Sequence, residues 1–224
     1  MMVSVHDDWD RLREQLNRAG IDTTDLGRFV NNTEYFRPST FDERSAMPVL
    51  LKAMPELTDR QAITAVAGHL GRAWARPAAF DVLLQMFRRW ATKDQSVGWS
   101  IGDALATVAT DQHLDQLLDL AQNSDYGMAR AMIVDSLWRY RKDARVRPAL
   151  EKLAEDPDIC LAAMSALRRV VGSDNALLLL RRLRDTHPDL RVRERAARQV
   201  KRAERAAAKS PRVARRHRGA GKSG

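Results

Sequence analysis

The stretch Ala62-Ile63-Thr64-Ala65-Val66-Ala67-Gly68-His69-Leu70 sets Ala62, Val66 and Leu70 at intervals of four, on one face of one helix. The same apolar triplet returns as Val97/Ile101/Leu105, Ala129/Ile133/Leu137, Ile159/Ala163/Leu167 and Val192/Ala196/Val200. The last residues of successive triplets lie 35, 32, 30 and 33 positions apart. A period of this size predicts stacked helical hairpins, each burying its apolar face against its neighbours, instead of one closed core.

Each triplet helix needs a partner helix, and the sequence offers five: residues 41–54, 77–90, 113–123, 147–155 and 175–184. Pro48, Pro77 and Pro148 are expected in the first turn of three of them, where the missing N–H has no intrahelical acceptor to lose. The run Leu177-Leu178-Leu179-Leu180 is expected to be buried on more than one side. Asp156-Pro157-Asp158 and His187-Pro188-Asp189 read as turns into triplet helices, and Asp174 as the cap of the helix from Asn175. Gly98 and Gly102, four apart inside a helix, predict close approach of a neighbour. Toward the N-terminus Trp9, Leu12 and Leu16 share a face and Gly20 ends their helix. Thr23 and Thr24 offer caps to a short helix with Leu26, Phe29 and Val30. The expected organisation is an N-terminal helical cap over 1–40, a repeat region over 41–205 and a disordered basic tail over 206–224.

Asp156-Pro157-Asp158-Ile159, followed by Ala162-Ala163-Met164-Ser165-Ala166-Leu167, resembles the HEAT repeat, specifically the short type of the phycobilin lyases. His187 to Val200 is a second copy, and Tyr126 to Leu137 a third, with Arg130 at the family's arginine position. Gly98 and Cys160 stand where that arginine would be in their own repeats, which breaks the family's Arg–Asp ladder there. The resemblance covers roughly residues 46 to 205. It implies an all-α, right-handed solenoid of about five hairpins whose concave face is lined by the partner helices. Such repeats serve scaffolds, adaptors, lyases and DNA-repair enzymes, so the resemblance carries fold and not chemistry.

Net charge is +9, but it is unevenly placed. Residues 191–224 hold 13 Lys and Arg against two acids, whereas residues 1–125 sum to −5 and residues 126–190 to +3. Arginine supplies 31 of the 38 basic residues, and its planar fork suits phosphate and carboxylate. No apolar run is long enough to cross a bilayer, so no membrane span is expected, and MMVSVHDDWD has no secretory character. The single cysteine, Cys160, has no disulfide partner, and the expected compartment is a reducing cytoplasm.

No two of the five histidines stand four apart, and neither a Gly-rich phosphate loop nor a Ser-His-Asp arrangement is legible, so catalytic residues, metal and cofactor are all expected to be none. Trp99 with Asp103, and Trp138 with Asp135, sit at helical spacing. The pairs resemble the Trp and Asp of HEAT-like alkyl-base DNA glycosylases; the plainer reading is tryptophan filling gaps between hairpins. Binding candidates are basic. Arg139, Arg141, Lys142 and Arg145 form one turn around Tyr140; Arg168 and Arg169, then Arg181, Arg182 and Arg184, follow one and two helices later and would align as a stripe. The tail adds Arg212, Arg215, Arg216 and Arg218. The function expected is a noncatalytic scaffold or adaptor that binds a protein partner through its concave face, with a basic C-terminal arm. The alternative is a nucleic-acid-binding protein or, further off, the glycosylase.

Overall fold

The computed structural model describes residues 5–23 and 42–209. They are all-helical, with eleven α-helices, short 3-10 turns and no strand among the described residues. The helix expected around Leu26, Phe29 and Val30 lies outside them; of the tail expected over 206–224, residues 206–209 are the end of a helix and the rest lies outside the described residues. The chain divides into two compact units between Ser136 and Leu137.

The first unit holds α1 (Val5–Arg18), α2 (Glu43–Ala53), α3 (Arg60–Leu70), α4 (Phe80–Trp90), α5 (Gln95–Val108), α6 (Leu114–Gln122) and α7 (Ala131–Ser136). Triplet helix packs on triplet helix, α3 on α5 and α5 on α7, while α4 and the segment Ser124–Arg130 flank α5. Three helices begin at an aspartate. Asp42, Asp59 and Asp94 accept hydrogen bonds from the first free N–H groups of α2, α3 and α5, each such cap contributing about 1 kcal/mol. The expected close approach at α5 is present. A β-carbon added to Gly98 would lie 2.6 Å from Ala91 Cα, and one added to Gly102 would lie 2.9 Å from the Ala129 carbonyl oxygen. Leu12 and Leu16 of α1 are buried, and Gly20 turns the chain just past the helix at φ 75°.

Three expectations in this unit need correction. Pro48 is the sixth residue of α2, not a first-turn residue, because Asp42 starts the helix earlier than the proline suggests. Pro77 stands ahead of α4, in the turn that leads to its first residue, Phe80. The third triplet does not lie on one regular α-helix. A 3-10 segment, Ser124–Arg130, precedes α7, and Gly127 within it adopts φ 46°, ψ −130°, a left-handed kink that glycine tolerates. Arg130 holds the kink. It is 1% exposed, and its guanidinium donates to the Gly127 and Ala121 carbonyls at 3.2 and 2.7 Å.

The second unit opens with the 3-10 turn Leu137–Tyr140 and continues with α8 (Val146–Leu153), α9 (Cys160–Val171), α10 (Ser173–Thr186) and α11 (Leu190–Lys209). α9 is central and packs on the opening turn, α8, α10 and α11. Its buried face is Cys160, Ala163, Met164, Ala166 and Leu167. Val192, Ala196, Val200 and Ala203 form the buried face of α11. Asp174 falls inside α10 and Gly172, at φ 81°, takes the capping position, so the helix starts ahead of the aspartate expected to cap it. All fifteen triplet positions in the two units are buried.

Candidate functional site

The run Leu177–Leu180 is not buried all round. Leu180 is fully buried, Leu177 and Leu179 are half-buried, and Leu178 is 75% exposed. Successive helical residues point about 100° apart, so a helix that buries Ala176, Leu180 and Leu183 must turn Leu178 outward. Leu178 and Leu179 face a groove of about 450 Å³ shared with α8 and the turn after it, rimmed by Glu151, Lys152, Glu155 and Arg182. Arg182 Nη2 donates to Glu155 Oε1 at 2.7 Å and closes one side. The rim carries two positive and two negative side chains, so the groove sets mixed charge beside its two leucines.

The basic candidates divide into groups. Arg145 forks onto Asp143 with two bonds of 3.0 Å, and this contact, with the Arg145 backbone N–H, lowers the Asp143 pKa to about 2. Arg147 pairs with Glu151 at 2.9 Å, Arg181 with Glu204 at 2.8 Å, and Arg184 with Asp185 at 2.6 Å. Arg168 donates to Gln199 at 2.9 Å, and the Arg169 guanidinium lies 5.4 Å above the Trp138 ring. Arg139 is exposed and engaged. Arg141 and Lys142 are exposed and form no ion pair among the described residues. Tyr140, at the centre of this turn, is buried core and not a stacking platform. Arg212, Arg215, Arg216 and Arg218 lie outside the described residues.

The expected stripe is interrupted. Arg168 and Arg169 end α9 beside the opening turn, through the Arg169–Trp138 contact. Arg181, Arg182 and Arg184 lie at the far end of α10, a 14-residue helix about 20 Å long, where Arg182 meets Glu155 in the turn preceding α9. The two clusters therefore occupy opposite ends of the hairpin.

The remaining candidates serve turns and packing. His113 stacks on Phe80 at 3.6 Å, and its Nδ1 accepts from the Thr110 N–H; His187 Nδ1 accepts from the Asp189 N–H. Burial, with the nearby Arg72 charge, pushes the His69 pKa down to about 3. Trp99 is 42% exposed and Asp103 is exposed, while Asp135 and Trp138 are each half-buried. Among the described residues no three His, Cys, Asp or Glu side chains gather in a way that could hold a metal ion. No helix among them is long and apolar enough to cross a membrane. No family model matches the chain, and no curated protein or solved structure matches it either.

Proposed function

We propose that the chain is a noncatalytic scaffold of HEAT-like hairpins, an α-solenoid that docks a protein partner on the face formed by its partner helices. The observation that carries this reading is the groove between α8 and α10, where Leu178 stands 75% exposed among two acids and two bases. A large apolar side chain at a site rimmed by charges of both signs suits an anchor residue from another protein, not a polyanion. The buried triplets support the repeat architecture, since the same apolar face recurs once in every hairpin.

The test is quantitative capture from nuclease-treated lysate with the wild-type chain and with Leu178→Glu. The exposed position should leave helicity and stability within about 0.5 kcal/mol of wild type. The reading expects a protein retained by the wild type and lost by the variant. An identical retained set would reject the groove as the docking face.

A further inference from the structure

On α11 the positions Arg198, Lys201, Arg202 and Arg205 follow the spacing i, i+3, i+4, i+7, which places them on one helical face. At about 100° per residue the four fall within an arc of about 100°, opposite the buried line of Val192, Ala196, Val200 and Ala203. All four are exposed.

Most other arginines of the second unit have partners, although Arg141 and Lys142, just after the opening turn, form no ion pair among the described residues. Arg145, Arg147, Arg181, Arg182 and Arg184 are each held by a carboxylate. Earlier on α11 itself, Arg191 is paired with Asp189, Arg193 donates to the His187 and Pro188 carbonyls, and Arg195 to the Pro157 carbonyl. Lys201, Arg202 and Arg205 make no ion pair among the described residues, and Arg198 meets Glu194 only at 4.0 Å. Glu204, the acid embedded in this stretch, is drawn off the face by Arg181 at 2.8 Å. Carboxylates thus neutralise some of these arginines, backbone carbonyls hold others in place, and this face is left charged.

We propose that the outer face of α11 is a binding surface for the phosphate backbone of a nucleic-acid duplex, a function beyond the docking groove between α8 and α10. From position 198 to 205 the helix rises about 10 Å, a length along which one strand of a duplex presents about three phosphates. Residues 190–224 contain no Phe, Trp or Tyr, so the segment lacks the aromatic platforms on which successive unpaired bases stack, which favours a duplex over a single strand. The one amide in this stretch, Gln199, accepts from Arg168 at 2.9 Å, so the face presents cations alone, the side chains that make most contacts to the phosphate backbone. The chain continues beyond the helix with Arg212, Arg215, Arg216 and Arg218, which add charge of the same sign.

The test uses the full chain, a labelled 20-base-pair duplex of arbitrary sequence, and a salt series read by fluorescence anisotropy. One variant carries Arg198→Gln, Lys201→Gln, Arg202→Gln and Arg205→Gln. A control of equal charge change carries Arg13→Gln, Arg18→Gln, Arg60→Gln and Arg147→Gln, all exposed and all paired with acids. Circular dichroism establishes that both variants keep wild-type helicity, as exposed positions allow. The expected result is at least about tenfold weaker duplex binding by the α11 variant, with the slope of log affinity against log salt smaller by about 3 to 4, and a much smaller change in the control. Equal losses in both variants, or no loss in the α11 variant, overturn the proposal. So does a wild-type chain that binds mixed phosphatidylcholine–phosphatidylserine vesicles through this face while leaving the duplex unbound.

Discussion

Arg130 shows how one buried charge can fix a local conformation. Its guanidinium satisfies the Ala121 and Gly127 carbonyls from inside the first unit, so neither oxygen faces the core unpaired. Arg130→Met keeps the bulk and removes the donors, and should cost about 2 to 4 kcal/mol in urea unfolding. His69 acts in the other direction. It is neutral in the fold down to a pKa of about 3, whereas in the unfolded chain it titrates near 6.5. Between those values the unfolded state holds the extra proton, so stability falls as pH drops through the window, by up to about 1.4 kcal/mol per pH unit from this group. Comparing urea midpoints of wild type and His69→Gln at pH 7 and pH 4.5 isolates the contribution, and the variant should lose less on acidification. Arg130 stood in the sequence only as a position in a repeat resemblance, because burial of an arginine depends on which carbonyls surround it and no spacing rule reports that.

At the scale of elements, α5 depends on having no side chain at two positions. Gly98→Ala would drive a methyl to 2.6 Å from the Ala91 backbone and 2.8 Å from Ala129 Cβ, so helices must separate, and a loss of about 1 to 3 kcal/mol is expected in thermal or chemical unfolding. Besides its buried Leu12 and Leu16, α1 is tied down by a carboxylate. Asp8, 1% exposed, accepts from the Thr58 and Asp59 N–H groups, both at 2.6 Å, and pairs with Arg11. Burial raises its pKa, but those bonds outweigh it and the net shift is downward. Asp8 therefore stabilises the fold above the ordinary carboxylate range, and that contribution disappears as pH falls through its lowered pKa. Asp8→Ala should cost about 1 to 3 kcal/mol and expose α1 to early proteolysis. The helices themselves were legible, since the triplet register states which residues a helical period turns inward, and all fifteen are buried. The extent of α2 was also legible, 41–54 against Glu43–Ala53, but the place of Pro48 within it was not, because proline marks a tolerated position and the starting signal is Asp42, which caps Arg44 and Ser45 upstream. Leu178 was missed for a related reason: a four-leucine run names no outward side until the neighbours of α10 are known. The arginine pairings need contacts such as Arg182–Glu155, 27 residues apart, which periodicity does not encode.

Across the whole molecule the charge profile and the probes available to read it are unequally shared. The excess of positive charge sits in residues 191–224, while residues 1–125 are net acidic. Four of the five tryptophans, Trp9, Trp74, Trp90 and Trp99, precede the division at Ser136, so intrinsic fluorescence reports mainly on the first unit. The second unit has its own reporter. Cys160 is the only cysteine, is fully buried at the start of α9, and lies 3.4 Å from an Arg195 nitrogen. A thiol reagent reaches it only when α9 lifts away from its neighbours, so labelling in native buffer should run about a hundredfold or more slower than in denaturant. A comparable rate in both would show that the helix does not protect it. Because the chain offers one sulfhydryl, and that one is buried at the start of the central helix, an unaltered sample carries its own clock: each modified molecule records that the second unit has opened there once.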